Sequence, residues 1–139
     1  MTAIREALGV LDALRSAGCR VWVEGGWGVD VLLGRQTRSH RDLDLAFDAD
    51  QQATLLRVLG GLGYAPEGDW LPVRMELRAL GRGIVDIHPL VFDAAGNGVQ
   101  AGWDGAPYVY PRHGFTEGSL GGRPVPCLSV EQQIAFHAG

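Results

Sequence analysis

The spacing of apolar residues predicts the first elements of the chain. Near the N-terminus, apolar residues recur at helical intervals and charged residues fill the opposite side. The apolar positions are Ile4, Ala7, Leu8, Leu11 and Leu14. Gly18 supplies a stop signal, so we expect a surface helix before it. Residues 19–24 are predicted to form a short strand, Gly25-Gly26 a turn, and residues 27–33 a second helix that Gly34 ends.

A strict alternation of polar and apolar residues follows. Residues 42–47 are Asp-Leu-Asp-Leu-Ala-Phe, which predicts a half-buried strand. This strand carries Asp42 and Asp44 on one face and its apolar side chains on the other. We expect Asp50 to cap the next helix, which ends at Gly60-Gly61.

Two longer apolar runs, 73–80 and 84–90, flank Gly81-Arg82-Gly83 and predict a β-hairpin. The core face of this hairpin is expected to carry Met75, Leu77, Ala79, Val85 and Ile87. Because successive strand residues point to opposite faces, the other face would carry Arg74, Glu76, Arg78, Ile84, Asp86 and His88. The polar face of the hairpin therefore collects charged groups.

The last third of the chain is rich in glycine. We expect residues 93–123 to form loops, with one short strand near 108–110. Ser129 and Gln132 have the spacing of a capping box, which predicts a final helix to the end of the chain. A length of 139 residues predicts a single domain over residues 1–139.

Composition excludes several classes of function. All 12 cationic residues are Arg, and without Lys the chain has no P-loop, protein-kinase or Schiff-base chemistry. The net charge of −4 argues against duplex DNA or an anionic membrane as the main partner. Cys19 and Cys127 lack metal-ligand spacing and are expected to be reduced core thiols. Acidic residues within the N-terminal apolar stretch argue against a signal peptide, and we expect a cytoplasmic protein with no membrane segment.

Three carboxylates and a glycine turn suggest metal-assisted phosphoryl chemistry. Asp42 and Asp44 point the same way from one strand and can hold a divalent cation, although this spacing alone is also common in solvated acids. Gly25-Gly26 opens a helix, where bare backbone N–H groups can receive phosphate. Asp86 lies in the middle of an apolar strand, where an unpaired charge would be costly.

This order of motifs resembles the polymerase β-type nucleotidyltransferases. More closely, four blocks resemble the small lincosamide nucleotidyltransferases, and the first of them resembles the aminoglycoside 2″-adenylyltransferases more weakly. The blocks lie at 24–48, 70–77, 85–89 and 125–139. The resemblance implies an α+β fold with a mixed sheet and helices packed on one side. It also implies transfer of a nucleoside monophosphate from a nucleoside triphosphate to a drug hydroxyl, with release of pyrophosphate.

The resemblance also assigns roles by position. Asp42 and Asp44 would hold two Mg²⁺ ions, for which Mn²⁺ can substitute, with Asp86 as third ligand or as the base that deprotonates the acceptor. The nucleoside triphosphate would be bound by Gly25, Gly26, Arg38 and His40. Substrate-binding candidates are Glu76, His88 and Trp70, and Glu76 and His88 are also alternative bases. Asp30 is expected to tie the second helix to the loop before Asp42.

Charge arguments favour a lincosamide as the acceptor. If three of the 16 acidic residues bind metal, 13 remain against 12 Arg, which leaves little surplus for a polycationic aminoglycoside. The four Trp residues suit a large apolar body. The alternatives are an aminoglycoside adenylyltransferase, a non-catalytic nucleotide-binding module and a minimal nucleotidyltransferase of a toxin system. We expect no nucleic-acid partner, and we hypothesise a homodimer whose second subunit closes the acceptor site.

Overall fold

The computed structural model describes residues 2–137, which form four α-helices and nine strands. The helices are α1 (Ile4–Ser16), α2 (Gly25–Leu33), α3 (Gln52–Gly61) and α4 (Val130–His137). The strands in the first two thirds are β1 (Val21–Glu24), β2 (Asp42–Asp48), β3 (Ala65–Trp70), β4 (Arg74–Arg78) and β5 (Ile84–Phe92). The remaining strands are β6 (Gly98–Gln100), β7 (Tyr108–Tyr110), β8 (Phe115–Leu120) and β9 (Arg123–Leu128).

One mixed sheet organises the described chain. Its strand order is β3-β4-β5-β2-β1-β9-β8, and β6 and β7 extend from the far end of β5. The neighbours β2 and β5 run parallel, as do β1 and β9, while the other pairs are antiparallel. The β4–β5 hairpin has the predicted register, with Glu76 opposite Asp86 and Leu77 opposite Val85.

Two apolar clusters cover the two faces of the sheet. The larger one joins buried side chains of α1, α2 and α3 to inward-facing residues of the central strands, and Trp27 is wholly buried in it. The smaller cluster on the opposite face centres on Leu90, Tyr110 and Leu128, with Phe136 of α4 packed against it. The expected mixed sheet with helices on one side therefore holds for α1 to α3. Cys19 and Cys127 are buried free thiols, as expected.

Several local predictions need correction. The helix-capping carboxylate is Asp48 rather than Asp50, because Asp48 accepts the backbone N–H of Asp50 in a 3-10 turn before α3. The strand β3 was not predicted, because its sequence APEGDW is mostly exposed and has no apolar alternation. The short strand expected near 108–110 is present as β7, but the stretch 93–123 also contains β6 and β8, which were not predicted. The strand β8 pairs with β9 along its whole length.

The last helix begins as predicted, since the Ser129 hydroxyl accepts the backbone N–H of Gln132. Within residues 2–137, no helix combines the length and the apolar character that crossing a membrane requires.

Candidate active site

Four carboxylates lie in one row across the sheet. In the strand register Glu24 of β1 is opposite Asp44 of β2, Asp44 is opposite Asp86 of β5, and Asp86 is opposite Glu76 of β4. Side chains opposite each other on neighbouring strands point to the same face. The sheet therefore concentrates negative charge along a line of four adjacent strands.

The centre of this row has the donor set of a divalent cation site. Ligand atoms of Asp44, Asp86 and His88 all lie within 4.8 Å of one another. One buried carboxylate oxygen of Asp86 and one of Asp42 have no hydrogen-bond partner among the described residues. Carboxylate oxygens are the ligands that Mg²⁺ and Mn²⁺ prefer. The residues present therefore fit the predicted metal, although Asp42, two residues earlier on β2, lies outside the group of closest ligand atoms.

Burial and mutual repulsion raise the pKa values of these carboxyls. Burial, followed by the charges of Asp86, Glu24 and Asp42, raises the pKa of Asp44 to about 8. Burial also raises the pKa of Asp86, against the opposing effects of His88 and Arg74. A cation placed between these groups would reverse this effect, because it stabilises their ionised forms.

Arg74 is the main cation beside the row. Its Nη1 donates to Glu76 Oε1 at 2.9 Å and to Asp86 Oδ2 at 2.8 Å. The guanidinium also lies 4.5 Å from the ring centre of Trp70, a cation–π contact. Glu76 is therefore occupied by an ion pair, and Arg74 links the predicted substrate residue Trp70 to the carboxylate row.

Gly25 and Gly26 are the first residues of helix α2 and not a separate turn before it, and they lie against Asp44, Arg38 and His40. Gly25 has φ of +65°, and a Cβ there would lie 2.2 Å from Asp44 Oδ2. A Cβ on Gly26 would lie 2.5 Å from His40 Nδ1 and 2.8 Å from an Arg38 guanidinium nitrogen. Because glycine has no Cβ, Asp44 can lie this close to residue 25, and His40 and Arg38 can lie this close to residue 26. The helix α2 begins at Gly25, so its first N–H groups lie beside an Arg, a His and the carboxylate row.

Asp30 connects α2 to the loop before β2, as expected. This carboxylate is 1% exposed and lies 2.5 Å from His40 Nε2. It also accepts the backbone N–H and the hydroxyl of Thr37. Burial raises the pKa of Asp30, but the hydrogen bonds from His40 and Thr37 outweigh it and hold that pKa below its usual value. The imidazole of His40 is thus fixed between Asp30 and Gly26.

A cavity of about 210 Å³ opens beside the acidic row, and it is lined by Glu24 of that row and by the neighbouring side chains of Arg74 and His88. Its other walls are aromatic or uncharged, formed by Val73, Gln100, Trp103, Tyr108, Tyr110 and Phe136. Trp70 does not line this cavity, but its ring lies edge-on to Trp103 at 6.2 Å. Trp70, which was predicted to bind the substrate, therefore packs against a residue of the cavity wall and does not itself line the cavity.

A hydrogen-bonded chain crosses the floor of this cavity. The Tyr110 hydroxyl lies 2.8 Å from Gln100 Oε1 and 3.0 Å from Glu24 Oε2. Gln100 Nε2 lies 3.0 Å from His88 Nδ1. Burial lowers the pKa of His88, against the charge of Asp86, which raises it. Burial raises the pKa of Tyr110, so its hydroxyl keeps its proton.

Sequence reasoning missed Glu24, Gln100 and Tyr110 as members of the site, whereas Trp103 is one of the four Trp residues that it expected to suit an apolar acceptor. For Glu24 a signal existed, because it ends an apolar strand directly before Gly25-Gly26. The other two lie in the glycine-rich stretch, where no local pattern shows that β6 and β7 fold back beside β5.

Comparison with known proteins identifies the family. A family model described as aminoglycoside-2″-adenylyltransferase matches residues 6–139. The chain belongs to this family. It is therefore a nucleotidyltransferase, as the resemblance of its motifs implied.

The names of the relatives refer to two kinds of antibiotic, lincosamides and aminoglycosides. A lincosamide resistance protein of Staphylococcus haemolyticus is 40% identical over 135 residues, covering 97% of this chain and 84% of the relative. A 2″-aminoglycoside nucleotidyltransferase of Escherichia coli is 31% identical over 128 residues, covering 90% of this chain and 67% of the relative.

Solved structures of family members confirm the nucleotidyltransferase fold. The lincomycin-bound lincosamide antibiotic adenylyltransferase LnuA has a TM-score of 0.90 at 39% identity, covering 99% of this chain and 87% of its own. The aminoglycoside enzyme ANT(2″)-Ia in complex with adenylyl-2″-tobramycin has a TM-score of 0.77 at 27% identity, covering 96% of this chain and 73% of its own.

Proposed function

We propose that this protein is a metal-dependent lincosamide nucleotidyltransferase that uses ATP as donor. Support for the donor comes from the adenylyltransferase family to which the chain belongs. The support for the acceptor is the 40% identity to a lincosamide resistance protein, together with the aromatic cavity beside the acidic row.

The residues that line the cavity are the observation that favours a lincosamide over an aminoglycoside as acceptor. Among the described residues that line it, the charged or potentially charged groups are the carboxylate Glu24 and the side chains of Arg74 and His88. A polycationic aminoglycoside would require a surplus of acids there, whereas a lincosamide offers one amine and a large apolar body. The volume of about 210 Å³ is below the roughly 300–1,000 Å³ of most drug-sized sites, so the cavity would hold part of the acceptor.

In the proposed reaction the acceptor hydroxyl oxygen forms a bond to the α-phosphorus. The bond from that phosphorus to the leaving pyrophosphate breaks, and the hydroxyl proton passes to the Asp86 carboxylate. Asp42, Asp44 and Asp86 would hold two Mg²⁺ ions, which supply charge neutralisation of the triphosphate when bound. Gly25, Gly26, Arg38 and His40 would hold the triphosphate itself.

The test is a product analysis with matched acceptors. The enzyme and Mg²⁺ are incubated with one acceptor and one of the four nucleoside triphosphates at a time. The acceptors are lincomycin, clindamycin, kanamycin and gentamicin, and the masses of the products are measured by mass spectrometry. We expect lincosamide products heavier by one adenylate group and no turnover in excess EDTA. Modification of the aminoglycosides alone would favour the second candidate function, which the 31% identity to an aminoglycoside nucleotidyltransferase supports.

Four further predictions concern the whole protein. These are a single domain over residues 1–139, a cytoplasmic location, the absence of a nucleic-acid partner, and a homodimer whose second subunit closes the acceptor cavity. Light scattering of the purified protein at micromolar concentration tests the dimer directly, and a mass of one chain would contradict it.

A further inference from the structure

The acidic row ends at a glycine on the edge strand β3. In the strand register Gly68 is opposite Glu76, so it occupies the next position in line after the four carboxylates. The indole of Trp70 fills the space that a side chain at residue 68 would take, because a Cβ there would lie 2.3 Å from Trp70 Cη2. The ring is therefore folded back along β3 and lies at the outer end of the row.

Arg74 is fixed between this indole and two carboxylates. Trp70 is opposite Arg74 in the β3–β4 pair, and the guanidinium carbon lies 4.5 Å from the centre of the indole ring. The Nη1 atom of Arg74 has two hydrogens, and it donates to Glu76 Oε1 at 2.9 Å and to Asp86 Oδ2 at 2.8 Å. The position of the guanidinium is therefore determined by one side chain from each of the strands β3, β4 and β5.

The contact with Arg74 distinguishes the two oxygens of Asp86. Oδ2 accepts from Arg74, whereas Oδ1 is buried, lies 3.5 Å from His88 Nε2 and has no hydrogen-bond partner within residues 2–137. A charge-assisted hydrogen bond on Oδ2 restricts rotation of the carboxylate, so the direction of Oδ1 depends on where Arg74 lies. Oδ1 is thus the oxygen left for the metal or for the acceptor proton, the two roles that the proposed function gives to Asp86.

We propose that Trp70 and Arg74 are positioning residues for Asp86: the indole holds the guanidinium, and the guanidinium holds the carboxylate so that Oδ1 is its free oxygen. Trp70 does not line the acceptor cavity, so it acts on the reaction through Arg74 and not by contact with the acceptor. The inference rests on the proposed function for its effect on turnover, but the hold of Trp70 on Arg74 does not.

Arginine side-chain NMR of the substrate-free protein tests that hold. In wild type we expect slow rotation of the Arg74 guanidinium about its Cζ–Nε bond, seen as separate signals of the two Nη groups and assigned by their loss in Arg74→Gln. Rotation should become faster in Trp70→Leu, which has no ring face, and in Gly68→Ala, whose Cβ displaces the indole. Trp70→Phe keeps a ring and should resemble wild type. Arg20, whose partners are likewise a carboxylate and an aromatic ring, is the internal control and should not change.

Single-turnover kinetics with Mg²⁺–ATP and lincomycin test the effect on the reaction. Trp70→Leu should lower the rate at saturating lincomycin by about fivefold to thirtyfold, the range of a partly buried cation–π contact, with little change in KM for lincomycin. Trp70→Phe should stay within about threefold of wild type. Gly68→Ala should lower the rate in the same way as Trp70→Leu, whereas Gly60→Ala, with no atom near its virtual Cβ, is the matched control and should not alter it.

A double-mutant cycle tests whether Trp70 acts through Arg74. Arg74→Gln alone should lower the rate by about tenfold to hundredfold, the value of a hydrogen bond to a charged group. In that background Trp70→Leu should have no further effect, because the guanidinium that it holds is gone. Trp70 is 40% exposed on an edge strand, so Leu is compatible with the fold there, and circular dichroism melts check this for each variant.

Three outcomes would overturn the proposal. The first is an Arg74 guanidinium that rotates equally fast in wild type and in folded Trp70→Leu. The second is a loss of rate from Trp70→Leu that is as large in the Arg74→Gln background as in wild type. The third is a raised KM for lincomycin with an unchanged rate, because Trp70 would then contact the acceptor itself. If the wild type modifies no acceptor, the proposed function fails, and the NMR comparison still decides whether Trp70 holds Arg74.

Discussion

At the scale of single residues, the acidic row gives each of its members a different environment. Asp44 is flanked by carboxylates on both neighbouring strands, whereas Asp86 is bound by Arg74 and faces His88. Like charges this close do not remain ionised together without a counter-ion. The differences in environment predict different consequences for substitution at each position.

Asp86→Asn should separate nucleotide binding from chemistry. The amide cannot take the acceptor proton, and loss of a general base typically costs 10²–10⁴-fold in rate. Nucleotide binding depends more on Asp42, Asp44 and the glycine turn, so we expect Mg²⁺–ATP affinity within roughly tenfold of wild type, about 1.4 kcal/mol. Calorimetric titration and single-turnover kinetics on the same variant measure the two quantities.

The control for that experiment is Asp104→Asn, a change of the same chemistry on an exposed loop. It should alter neither measurement. Full single-turnover activity in Asp86→Asn would contradict the base assignment, and loss of nucleotide binding would show that Asp86 is first of all a metal ligand.

Gly25→Ala should disable the site through contact with Asp44. An alanine at φ of +65° costs about 1–2 kcal/mol, and its Cβ would lie 2.2 Å from Asp44 Oδ2. Displacement of that carboxylate by about 1 Å predicts a loss of turnover of roughly a hundredfold. Gly9→Ala is the matched control, because Gly9 is helical with no atom near its virtual Cβ, and it should raise stability by about 0.5–1 kcal/mol. Thermal melts and turnover of both variants decide the prediction.

At the scale of elements, the site depends on the junction between α2 and the loop that enters β2. This junction consists of Asp30 with its hydrogen bonds to Thr37 and His40, and Trp27 packs on the His40 ring at 4.6 Å. It holds the first turn of α2 against Arg38 and His40. The buried hydrogen bonds of Asp30 therefore hold Gly25 and Gly26, the first residues of α2, in position.

Asp30→Asn should weaken the fold and reduce its sensitivity to acid. The pKa of Asp30 is lower in the folded state than in the unfolded chain, so its contribution is complete above about pH 4 and is lost as pH falls below that. Loss of a charged hydrogen-bonding partner in a buried network predicts a destabilisation of about 1.5–3 kcal/mol at pH 7.

Denaturant unfolding of wild type and Asp30→Asn between pH 7 and pH 3 measures this effect. The difference in stability between the two proteins should shrink as the pH falls. The exposed Asp50→Asn serves as control and should follow the wild type at every pH. A constant difference across this range would show that the charge of Asp30 is not what stabilises the junction.

At the scale of the whole molecule, the sheet brings together charges that oppose folding until they are neutralised. Glu24, Asp44, Asp86 and Glu76 come from four different strands. Arg74 pairs with Glu76 and Asp86, and His88 lies 3.6 Å from Glu24 and 3.5 Å from Asp86. The fold is therefore coupled to whatever cation neutralises the row.

The effect of Mg²⁺ on stability should grow with pH. Because the folded-state pKa of Asp44 is raised from 3.8 to about 8, its ionisation destabilises the metal-free fold progressively between those values. We expect Tm in EDTA to fall more steeply from pH 5 to pH 8 in wild type than in Asp44→Asn, which lacks the ionisable group. Added Mg²⁺ should raise the wild-type Tm more at pH 8 than at pH 5. A Mg²⁺ effect on the wild-type Tm that is equal at both pH values, or whose pH dependence is unchanged in Asp44→Asn, would contradict this account.

The sequence by itself determined the elements whose signals are local. Alternation in residues 42–47 placed Asp42 and Asp44 on one face, and periodicity set α1 and α3 and the register of the β4–β5 hairpin. The motif at Gly25-Gly26, followed by the Asp pair and Asp86, was enough to indicate the family and the reaction class. These features depend on neighbours within a few residues, so one stretch of sequence carries each of them.

The tertiary structure decided which distant groups share the site. Glu24 joins the row only because β1 pairs with β2. Gln100 reaches His88, and Tyr110 reaches Gln100, only because β6 and β7 fold back beside β5. Such pairings connect residues 10 to 86 positions apart, as in the bonds from Tyr110 to Gln100 and to Glu24. Hydrogen bonds over these separations form when strands from different parts of the chain become neighbours, and no local pattern of polar and apolar residues encodes that choice.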